Sequence, residues 1–309
     1  MFDNTDITIR KEQATGINFI EVIPQYLTEA QEPRYNDFGT YIIGYLDNLK
    51  ISITENRVKV YNSSLCKYYF GNNFKTLNRT DTKQAIEKIS DNLHLPINKG
   101  DVTRIDFSNN LIMQNDVNDY YKYLGQLQYY QRLEQPNGIY YTNGDKQVLF
   151  YGKVREQKAK RQPIPELYKN QNVLRYEMRY KKHIRQQLNR HEIKAELLYD
   201  EAFYRDMVKR WKDNYLKIDK INNKMNMIKP TGSTKQLIEN LALLQALEFG
   251  QPHLLALVKE WQRAGIINKK QAQDHRNKIK SLSKIMADSP GMDLIQELNK
   301  KVKEAAKYC

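Results

Sequence analysis

Alternating apolar and polar residues predict several β-strands in the first two thirds of the chain. Residues 49–61 alternate on both sides of Glu55-Asn56, a pattern that predicts a hairpin with a short polar turn. A second hairpin is predicted where residues 139–142 and 146–154 flank an Asn143-Gly144 turn. Short apolar runs before residue 48, ITI and INFIEVI, indicate further strands.

Apolar residues at helical spacing predict helices between these strands and throughout the last third of the chain. Amphipathic helices are expected at residues 80–93, capped by Thr82, and at residues 116–132. A basic stretch at residues 182–227 is also expected to be helical. After a linker at residues 230–233, with a capping-box pattern of Ser233 and Gln236, three or four helices are predicted, at about residues 234–248, 252–263, 268–286 and 291–307.

The order of these elements predicts an α+β fold. Strands joined by short turns, with helices between them, favour an antiparallel sheet with helices on one face. We therefore expect one mixed domain at residues 1–230 and an all-helical C-terminal domain at residues 231–309. The C-terminal helices suit a helix-turn-helix DNA binder and a packing or dimerisation bundle equally well, because they contain no clear recognition-helix pattern.

The distribution of charge places a strongly basic region after residue 152. The net charge of the chain is +14. Residues 1–152 contain 16 Lys and Arg against 18 Asp and Glu, residues 153–230 contain 21 against 10, and residues 231–309 contain 13 against 8. Because phosphate contacts dominate nucleic-acid affinity, this asymmetry favours a nucleic-acid partner over a solvated basic helix.

Composition argues against several other classes of protein. No apolar run approaches the roughly 20 residues that span a bilayer, so we expect no membrane partner. The polar, acidic start of the chain is unlike a secretory signal. The two cysteines, Cys66 and Cys309, cannot form a disulfide framework and lack zinc-site surroundings. A reducing cytoplasm fits this cysteine usage best.

Three strand-like stretches each carry chemically useful side chains on one face, because alternate residues of a strand share a face. The sets are Arg104 and Asp106 in residues 102–108, Arg175, Glu177 and Arg179 in residues 173–181, and Gln147, Leu149, Tyr151, Lys153 and Arg155 in residues 146–158. Neighbouring placement of these strands would bring Asp106, Glu177 and Tyr151 together. Two carboxylates suit a hard divalent cation, beside which a tyrosine oxygen can attack a phosphodiester.

Each of these residues also has an ordinary structural interpretation. A tyrosine in a strand is usually a packing residue, since aromatic side chains favour pleated surfaces. A carboxylate between arginines usually forms a surface salt bridge. Periodicity alone therefore leaves both interpretations open.

The three stretches, in this order, resemble the gene II/gene X replication initiator family of filamentous phages and related phage and plasmid rolling-circle replication proteins. The matching segments are TRID at 103–106, LFYGKVRE at 149–156 and LRYEMRYK at 174–181, with SLCKYYFGNN at 64–73 upstream. The resemblance covers roughly residues 49–215. The resemblance implies a replication-initiator nuclease fold and metal-dependent, strand-specific nicking of origin DNA through a 5′-phosphotyrosine link, with later rejoining of the strand.

The resemblance also implies a role for each candidate residue. Tyr151 corresponds to the nucleophilic tyrosine of the family, and Asp106 and Glu177 are expected to hold Mg²⁺ or Mn²⁺. Lys153 is expected to balance charge in the transition state, and Glu156 to act as a third metal ligand or a base. Contacts with DNA are expected from Arg104, Arg175, Arg179, Lys181 and Lys182.

Two features depart from related nicking enzymes. The tyrosine motif of the family often reads Tyr-Asp-Lys, whereas Gly152 stands at the middle position here, so any role of that Asp is absent. A related class uses a His-hydrophobe-His pair as metal ligands, and none of the five histidines shows that spacing. Of these, His183 and His191 are expected to be surface residues of a helix. The expected metal site is therefore largely built from carboxylates.

Other functions remain open at this stage. A conjugative relaxase would use the same chemistry on a transfer origin, and a non-catalytic origin-binding or RNA-binding protein would use Tyr151 only for stacking. Several of the 22 tyrosines are interleaved with Lys and Arg, so some are expected to stack on unpaired bases. Single- or double-stranded origin DNA and a host helicase are the expected partners, in the cytoplasm of a bacterial host.

Overall fold

The computed structural model describes residues 1–37, 39–221, 233–235, 237–238, 251–287 and 292–307. The chain divides into two compact units, one formed by Met1–Asp219 with Leu298–Cys309 and the other by Lys220–Glu297. The predicted linker at residues 230–233, the capping-box partner Gln236 and most of the predicted helix at 234–248 lie outside the described residues. The domain boundary between residues 230 and 231 therefore stays a prediction.

The first unit is built on one large antiparallel sheet, which confirms the predicted α+β class. Its strands are β1 (Phe2–Arg10), β2 (Glu29–Ala30), β3 (Arg34–Asn36), β4 (Gly39–Leu46), β5 (Leu49–Thr54), β6 (Arg57–Tyr61), β7 (Asp101–Met113), β8 (Gln131–Gln135), β9 (Gly138–Thr142), β10 (Lys146–Gly152) and β11 (Asn172–Tyr180). Their order across the sheet is β2-β4-β5-β6-β1-β7-β11-β10-β9-β8, and β3 pairs with β4. Both predicted hairpins, β5–β6 and β9–β10, are present.

The helices of the described residues are mostly short. They are α1 (Phe19–Val22), α2 (Leu65–Phe70), α3 (Arg79–Leu93), α4 (Val117–Tyr121), α5 (Lys153–Ala159), α6 (Ile184–Gln187), α7 (Glu201–Leu216), α8 (Gln251–Arg263), α9 (Lys269–Ala287) and α10 (Met292–Ala305). The last three coincide closely with predicted C-terminal helices. None of the described helices combines the length and hydrophobicity needed to cross a lipid bilayer.

The three strands at the centre of the sheet have one polar and one apolar face. Register pairs Asp106 of β7 with Arg179 of β11, and Leu149 of β10 with Glu177 of β11, so these residues share a face. We call this the polar face. On the opposite, apolar face, Phe150 stacks on Tyr176 with ring centroids 4.5 Å apart, and Trp211 of α7 packs against Tyr176. The helix α7 therefore covers the apolar face and leaves the other for polar side chains.

A β-bulge in β1 brings two polar residues to the polar face. Phe2 pairs with Phe107 and Thr5 with Ile105, so β1 contains one residue more than β7 over this interval. Asp3 and Asn4 therefore lie opposite a single residue of β7. Both side chains reach the polar face, where Asp3 contacts Arg175 and Asn4 contacts Asp106.

The predicted end of the tyrosine strand is wrong. The strand was expected to continue to residue 154, but β10 ends at Gly152 and α5 begins at Lys153. One neighbouring strand, β9, begins at Gly138 opposite Tyr151, so β10 loses its partner on that side beyond Tyr151. Lys153 and Arg155 consequently do not share a strand face with Tyr151.

The predicted helix at residues 116–132 is also shorter than expected, because α4 ends at Tyr121. Beyond it, the Gly125 N–H donates to the Asp219 carbonyl, and the Asp219 N–H donates to the Gln126 carbonyl, each at 2.8 Å. These bonds tie the segment to the end of α7. Tertiary pairing has therefore replaced the local helical hydrogen bonds that the spacing predicted.

Three further local predictions differ from the structure. The INFIEVI run forms α1 and a 3₁₀ turn rather than a strand, because Phe19 and Ile23, four residues apart, are both buried. Asn78, not Thr82, caps α3, and it forms a capping box with Asp81. The stretch expected to be helical from residue 182 contains α6, a 3₁₀ turn and α7 with irregular segments between them, and its last residues lie outside the described part.

Candidate functional site

Tyr151 lies at the end of β10, half-buried on the polar face. Its hydroxyl donates a hydrogen bond to Glu177 Oε2 at 3.1 Å. Burial, and then the negative charge of Glu177, raise the pKa of the Tyr151 phenol well above its usual value. Gly138 stands opposite Tyr151 in β9, where a Cβ atom would lie 2.2 Å from the Phe150 carbonyl oxygen. A glycine is therefore required beside the tyrosine.

Glu177 lies on β11 with its side chain 1% exposed, between two arginines of the same strand. Arg175 Nε donates to Oε2 at 3.1 Å, and Arg179 Nε donates to Oε1 at 2.6 Å. Burial alone would raise the pKa of Glu177, but the charges of Arg179 and Arg175 outweigh it and lower the pKa to about 2. Glu177 is therefore an ionised, tightly held acceptor for the Tyr151 hydroxyl.

Asp106 lies on β7 with its side chain fully buried. Arg104 binds it through two bonds, from Nε to Oδ1 at 2.9 Å and from Nη2 to Oδ2 at 2.8 Å, and Asn4 donates to Oδ2 at 3.1 Å. Burial raises the pKa of Asp106 to about 6, the nearby Glu177 carboxylate adds to this rise, and Arg104 opposes it. The two carboxylates therefore differ in how readily they lose a proton.

Arg179 joins the two carboxylates. Its Nε atom lies 2.6 Å from Glu177 Oε1 and 3.7 Å from Asp106 Oδ2. The side chains of Arg104 and Arg179 are 21% and 27% exposed, so both reach solvent at the edge of the cluster. The expected convergence of Asp106, Glu177 and Tyr151 on one face is thus seen in the structure, with guanidinium groups between them.

Arg175 is the innermost residue of the cluster and is fully buried. Besides Glu177, it contacts Asp3, the Asn73 carbonyl oxygen at 3.1 Å and Asn110 Oδ1 at 3.2 Å. Its burial leaves no surface for the DNA contact that the resemblance implied. Arg175 instead neutralises Glu177 on its own strand and Asp3 on β1.

Sequence reasoning missed Asp3 and Asn4. Asp3 is almost fully buried and accepts a hydrogen bond from the Ser64 hydroxyl in addition to its contact with Arg175. The sequence contains one sign of the bulge. In a regular strand, Phe2 would point to the face opposite that of Ile7 and Ile9, although all three are apolar. Nothing local shows which face the displaced polar residues reach.

Lys153 and Glu156 form a second cluster in the first turn of α5. The Lys153 ammonium is buried, donates to Glu156 Oε2 at 2.7 Å, and lies 5.9 Å from the centroid of the Phe74 ring. Burial and the neighbouring Arg175 lower the pKa of Lys153 to about 8. Glu156 also bonds Gln157 and Lys160, and its pKa falls to about 2 because Lys153 outweighs the effect of burial.

The remaining candidates lie at the margin of the site. Lys181 and Lys182 follow β11, with backbone N–H groups donating to the Asp145 carbonyl oxygen at 2.8 and 3.3 Å. Tyr140 pairs with Leu149 and so shares the polar face with Tyr151. Tyr141 lies on the other face, fully buried, with its hydroxyl bonded to the Gly125 carbonyl oxygen at 2.9 Å.

The donor set around Asp106 and Glu177 fits a hard divalent cation. Two carboxylates lie close enough to share Arg179, and the buried Ser108 hydroxyl, paired in register with Glu177, has no hydrogen-bond partner among the described residues. Within that same part of the chain, no group of three His, Cys, Asp or Glu side chains is arranged to hold a metal ion. Mg²⁺ is commonly held by one or two carboxylates, with water and substrate phosphate as the other ligands.

Comparison with known proteins identifies the family. A family model that describes the N-terminal region of the replication-associated gene II protein matches residues 42–214. No curated protein matches the chain. The family match covers more than half of the sequence and includes the strands that carry Tyr151, Asp106 and Glu177, which confirms the resemblance to gene II initiators. The chain therefore belongs to the family of replication-associated proteins defined by the N-terminal region of the gene II protein.

Proposed function

We propose that this replication-associated protein initiates rolling-circle replication by nicking one DNA strand with Tyr151. The observation that carries the proposal is the bond from the Tyr151 hydroxyl to the buried, ionised Glu177, on a face that also holds Asp106 and three arginines. A phenol fixed by a carboxylate beside cationic groups suits nucleophilic attack on a phosphodiester.

The reaction is a transesterification. The Tyr151 oxygen forms a bond to phosphorus, and the bond from phosphorus to the 3′ oxygen of the preceding nucleotide breaks. The phenolic proton leaves along the bond to Glu177 Oε2 and passes on to solvent, because the pKa of Glu177 is about 2. The departing 3′ oxygen takes up a proton from water to become the hydroxyl that primes synthesis. The 5′-phosphotyrosine keeps the bond energy, so a later attack by a 3′ hydroxyl rejoins the strand.

The three arginines of the cluster have different roles in this reaction. Arg175 holds Glu177 from the buried side, which fixes the acceptor of the tyrosine proton. In this proposal Arg104 and Arg179 contact the phosphate from the solvent side, which their partial exposure supports. Lys153 is held by Glu156 in α5, directly after the tyrosine strand, where its positive charge balances the developing negative charge.

Asp106 and Glu177 are the residues that would hold Mg²⁺ or Mn²⁺. When bound, the cation would neutralise the phosphodiester and stabilise the charge that develops during attack. The raised pKa of Asp106, to about 6, reflects burial and an unfavourable neighbour carboxylate, which are the conditions that a bound cation relieves.

The test is a covalent adduct assay on single-stranded oligonucleotides that tile the replication origin, with Mn²⁺ and a denaturing gel. Tyr151→Phe removes one oxygen and should lower adduct formation by orders of magnitude, since a phenyl ring cannot form the phosphodiester. Tyr140→Phe is the matched control, because Tyr140 shares the polar face and should leave the adduct intact. An adduct that persists in Tyr151→Phe and disappears in Tyr140→Phe would place the nucleophile on β9. DNA binding with no adduct in the unmodified protein would indicate a non-catalytic origin-binding protein.

A further inference from the structure

A cavity lies on the opposite side of the sheet from Tyr151. It has a volume of about 510 Å³ and is lined by residues from the ends of β10 and β11 and from one side of α7. Lys146 and Tyr180 pair across β10 and β11, one position along from the pair formed by Gln147 and Arg179. Because neighbouring strand residues point to opposite faces, the cavity lies on the apolar face of the sheet. The cavity is therefore separate from the cluster around Glu177.

Four cations and three carboxylates line this cavity, and most of the cations form no ion pair among the residues that the structure describes. Lys146, Lys209 and Lys217 line it and form no salt bridge within the described part of the chain, whereas Arg210 pairs with Asp206 at 2.7 Å. Asp145 and Asp213 also contribute to the lining. Burial, and then the charges of Arg210 and Lys217, lower the pKa of Lys146 to about 8. The lining thus has one cation more than it has carboxylates, and an anion bound beside Lys146 would relieve the repulsion from Arg210 and Lys217.

Aromatic and polar groups complete the lining. The Lys146 ammonium lies 4.6 Å from the centroid of the Tyr180 ring, and Tyr130 is half-buried at the same cavity. Tyr180 is 1% exposed, and its hydroxyl has no hydrogen-bond partner among the described residues. Native proteins rarely leave a buried hydroxyl unpaired, so this group is a ready donor or acceptor for a ligand.

We propose that this cavity binds one nucleotide unit, with its phosphate at Lys146 and Lys217 and its base beside Tyr130 and Tyr180. Its volume lies within the range of about 300–1,000 Å³ typical of small-molecule sites. Lysines supply the phosphate contacts, the half-buried Tyr130 ring supplies a stacking surface that accepts any base, and the buried Tyr180 hydroxyl supplies a hydrogen-bonding group. The same chemistry suits a nucleotide within a single DNA strand and a free nucleoside monophosphate.

The site has a consequence that does not depend on nicking. A strand held on the apolar face is separated from Tyr151 by the sheet itself. The cavity would therefore hold a different segment of DNA from the one being cut, or a free nucleotide. Because the ligand contacts none of the residues around Glu177, binding should persist in Tyr151→Phe protein.

The experiment measures binding in a Tyr151→Phe background, which removes any contribution from covalent attachment. Fluorescence anisotropy with a labelled oligothymidylate and calorimetry with dTMP separate the two sources of the nucleotide. The test variants are Tyr180→Phe and the double variant Lys146→Gln/Lys217→Gln. The control, Lys83→Gln/Lys99→Gln, removes the same charge from exposed lysines outside the cavity. Circular dichroism melts establish that each variant is folded.

We expect the Lys146→Gln/Lys217→Gln variant to bind its ligand at least about tenfold more weakly than the control at low salt. For the oligonucleotide, the slope of log K against log salt concentration should be smaller by about 0.7, because one phosphate contact to a single strand is lost. Tyr180→Phe should also weaken binding, with no change in charge. An effect on both ligands identifies a free-nucleotide site, and an effect on the oligonucleotide alone identifies a DNA-strand site. If the double variant and Tyr180→Phe bind both ligands as the control does, the proposal is overturned.

Discussion

Replacing Asp3 with alanine should destabilise the protein strongly, although the Tyr151 hydroxyl bonds to Glu177 and not to Asp3. The substitution removes a carboxylate from Arg175, whose side chain is fully buried. It also leaves the Ser64 hydroxyl without its acceptor. Arg175 keeps Glu177 at 3.1 Å, the Asn73 carbonyl oxygen at 3.1 Å and Asn110 at 3.2 Å, so its charge is not wholly uncompensated.

The expected loss follows from these contacts. Removing one partner of a buried ion pair usually costs about 3–5 kcal/mol, and the remaining partners of Arg175 place Asp3→Ala near the lower end, at about 3 kcal/mol. Such a loss is a large fraction of the roughly 5–15 kcal/mol that stabilises a typical domain. Asp3→Asn should cost less, because its amide oxygen can still accept the Ser64 hydrogen bond.

Urea denaturation measures this effect as a shift in the midpoint at an unchanged slope. Asp101→Ala is the matched control, since Asp101 is 30% exposed and pairs with Arg10 and Lys194, and surface pairs contribute only about 0–1 kcal/mol. Equal midpoint shifts for Asp3→Ala and Asp101→Ala would refute the view that Asp3 neutralises the centre of the cluster.

Three further outcomes test the site. Asp106→Asn should abolish Mn²⁺-supported nicking while the protein stays folded, and unchanged nicking at low Mn²⁺ would contradict the metal assignment. Glu177→Gln should abolish nicking as well, and the matched gel assay with Tyr140→Phe as an active reference checks that loss. Because the pKa of Glu177 falls to about 2 in the folded protein, its stabilising contribution is present above its unfolded pKa and is lost as pH falls toward 2. The free energy of unfolding should therefore fall less steeply with decreasing pH in Glu177→Gln than in the unmodified protein. Parallel curves for the two proteins would count against the low pKa of Glu177.

The central strands could be predicted from the sequence because their alternation is strong and each buries one apolar face. Because alternate residues of a strand share a face, the sequence predicts that Arg104 lies on the same face as Asp106. It likewise predicts a shared face for Arg175, Glu177 and Arg179. Periodicity does not show that these strands lie together, and the family motifs supplied that expectation. Pairing of β7 with β11 and of β11 with β10 then brings these faces together.

The elements that could not be predicted depend on contacts between distant parts of the chain. The strand with Tyr151 ends early because its neighbour β9 begins at Gly138. The segment after Tyr121 leaves the helix because Gly125 pairs with Asp219, far along the sequence. Asp3 reaches Arg175 through a bulge and a separation of 172 residues in the sequence. Local propensity carries no information about any of these contacts.

The charge balance of the cluster depends on the protonation of Asp106. Asp3, Asp106 and Glu177 face Arg104, Arg175 and Arg179, so the cluster is neutral when all three carboxylates are ionised. A phosphodiester then meets arginines that are already paired. Since the pKa of Asp106 is raised to about 6, the cluster gains one positive charge as pH falls below 6.

DNA binding without metal should therefore strengthen as the pH is lowered from about 7.5 to about 5.5, across the raised pKa of Asp106. The sign follows from protonation of Asp106, which removes a negative charge and releases Arg104 toward phosphate. Asp106→Asn lacks the titrating group, so its affinity should vary less over the same interval, and the histidines common to both proteins cancel in the comparison. Anisotropy with EDTA at the two pH values measures the difference. An equal pH dependence in both proteins would show that Asp106 is already ionised at the lower pH and that the arginines hold its charge more firmly than burial opposes it.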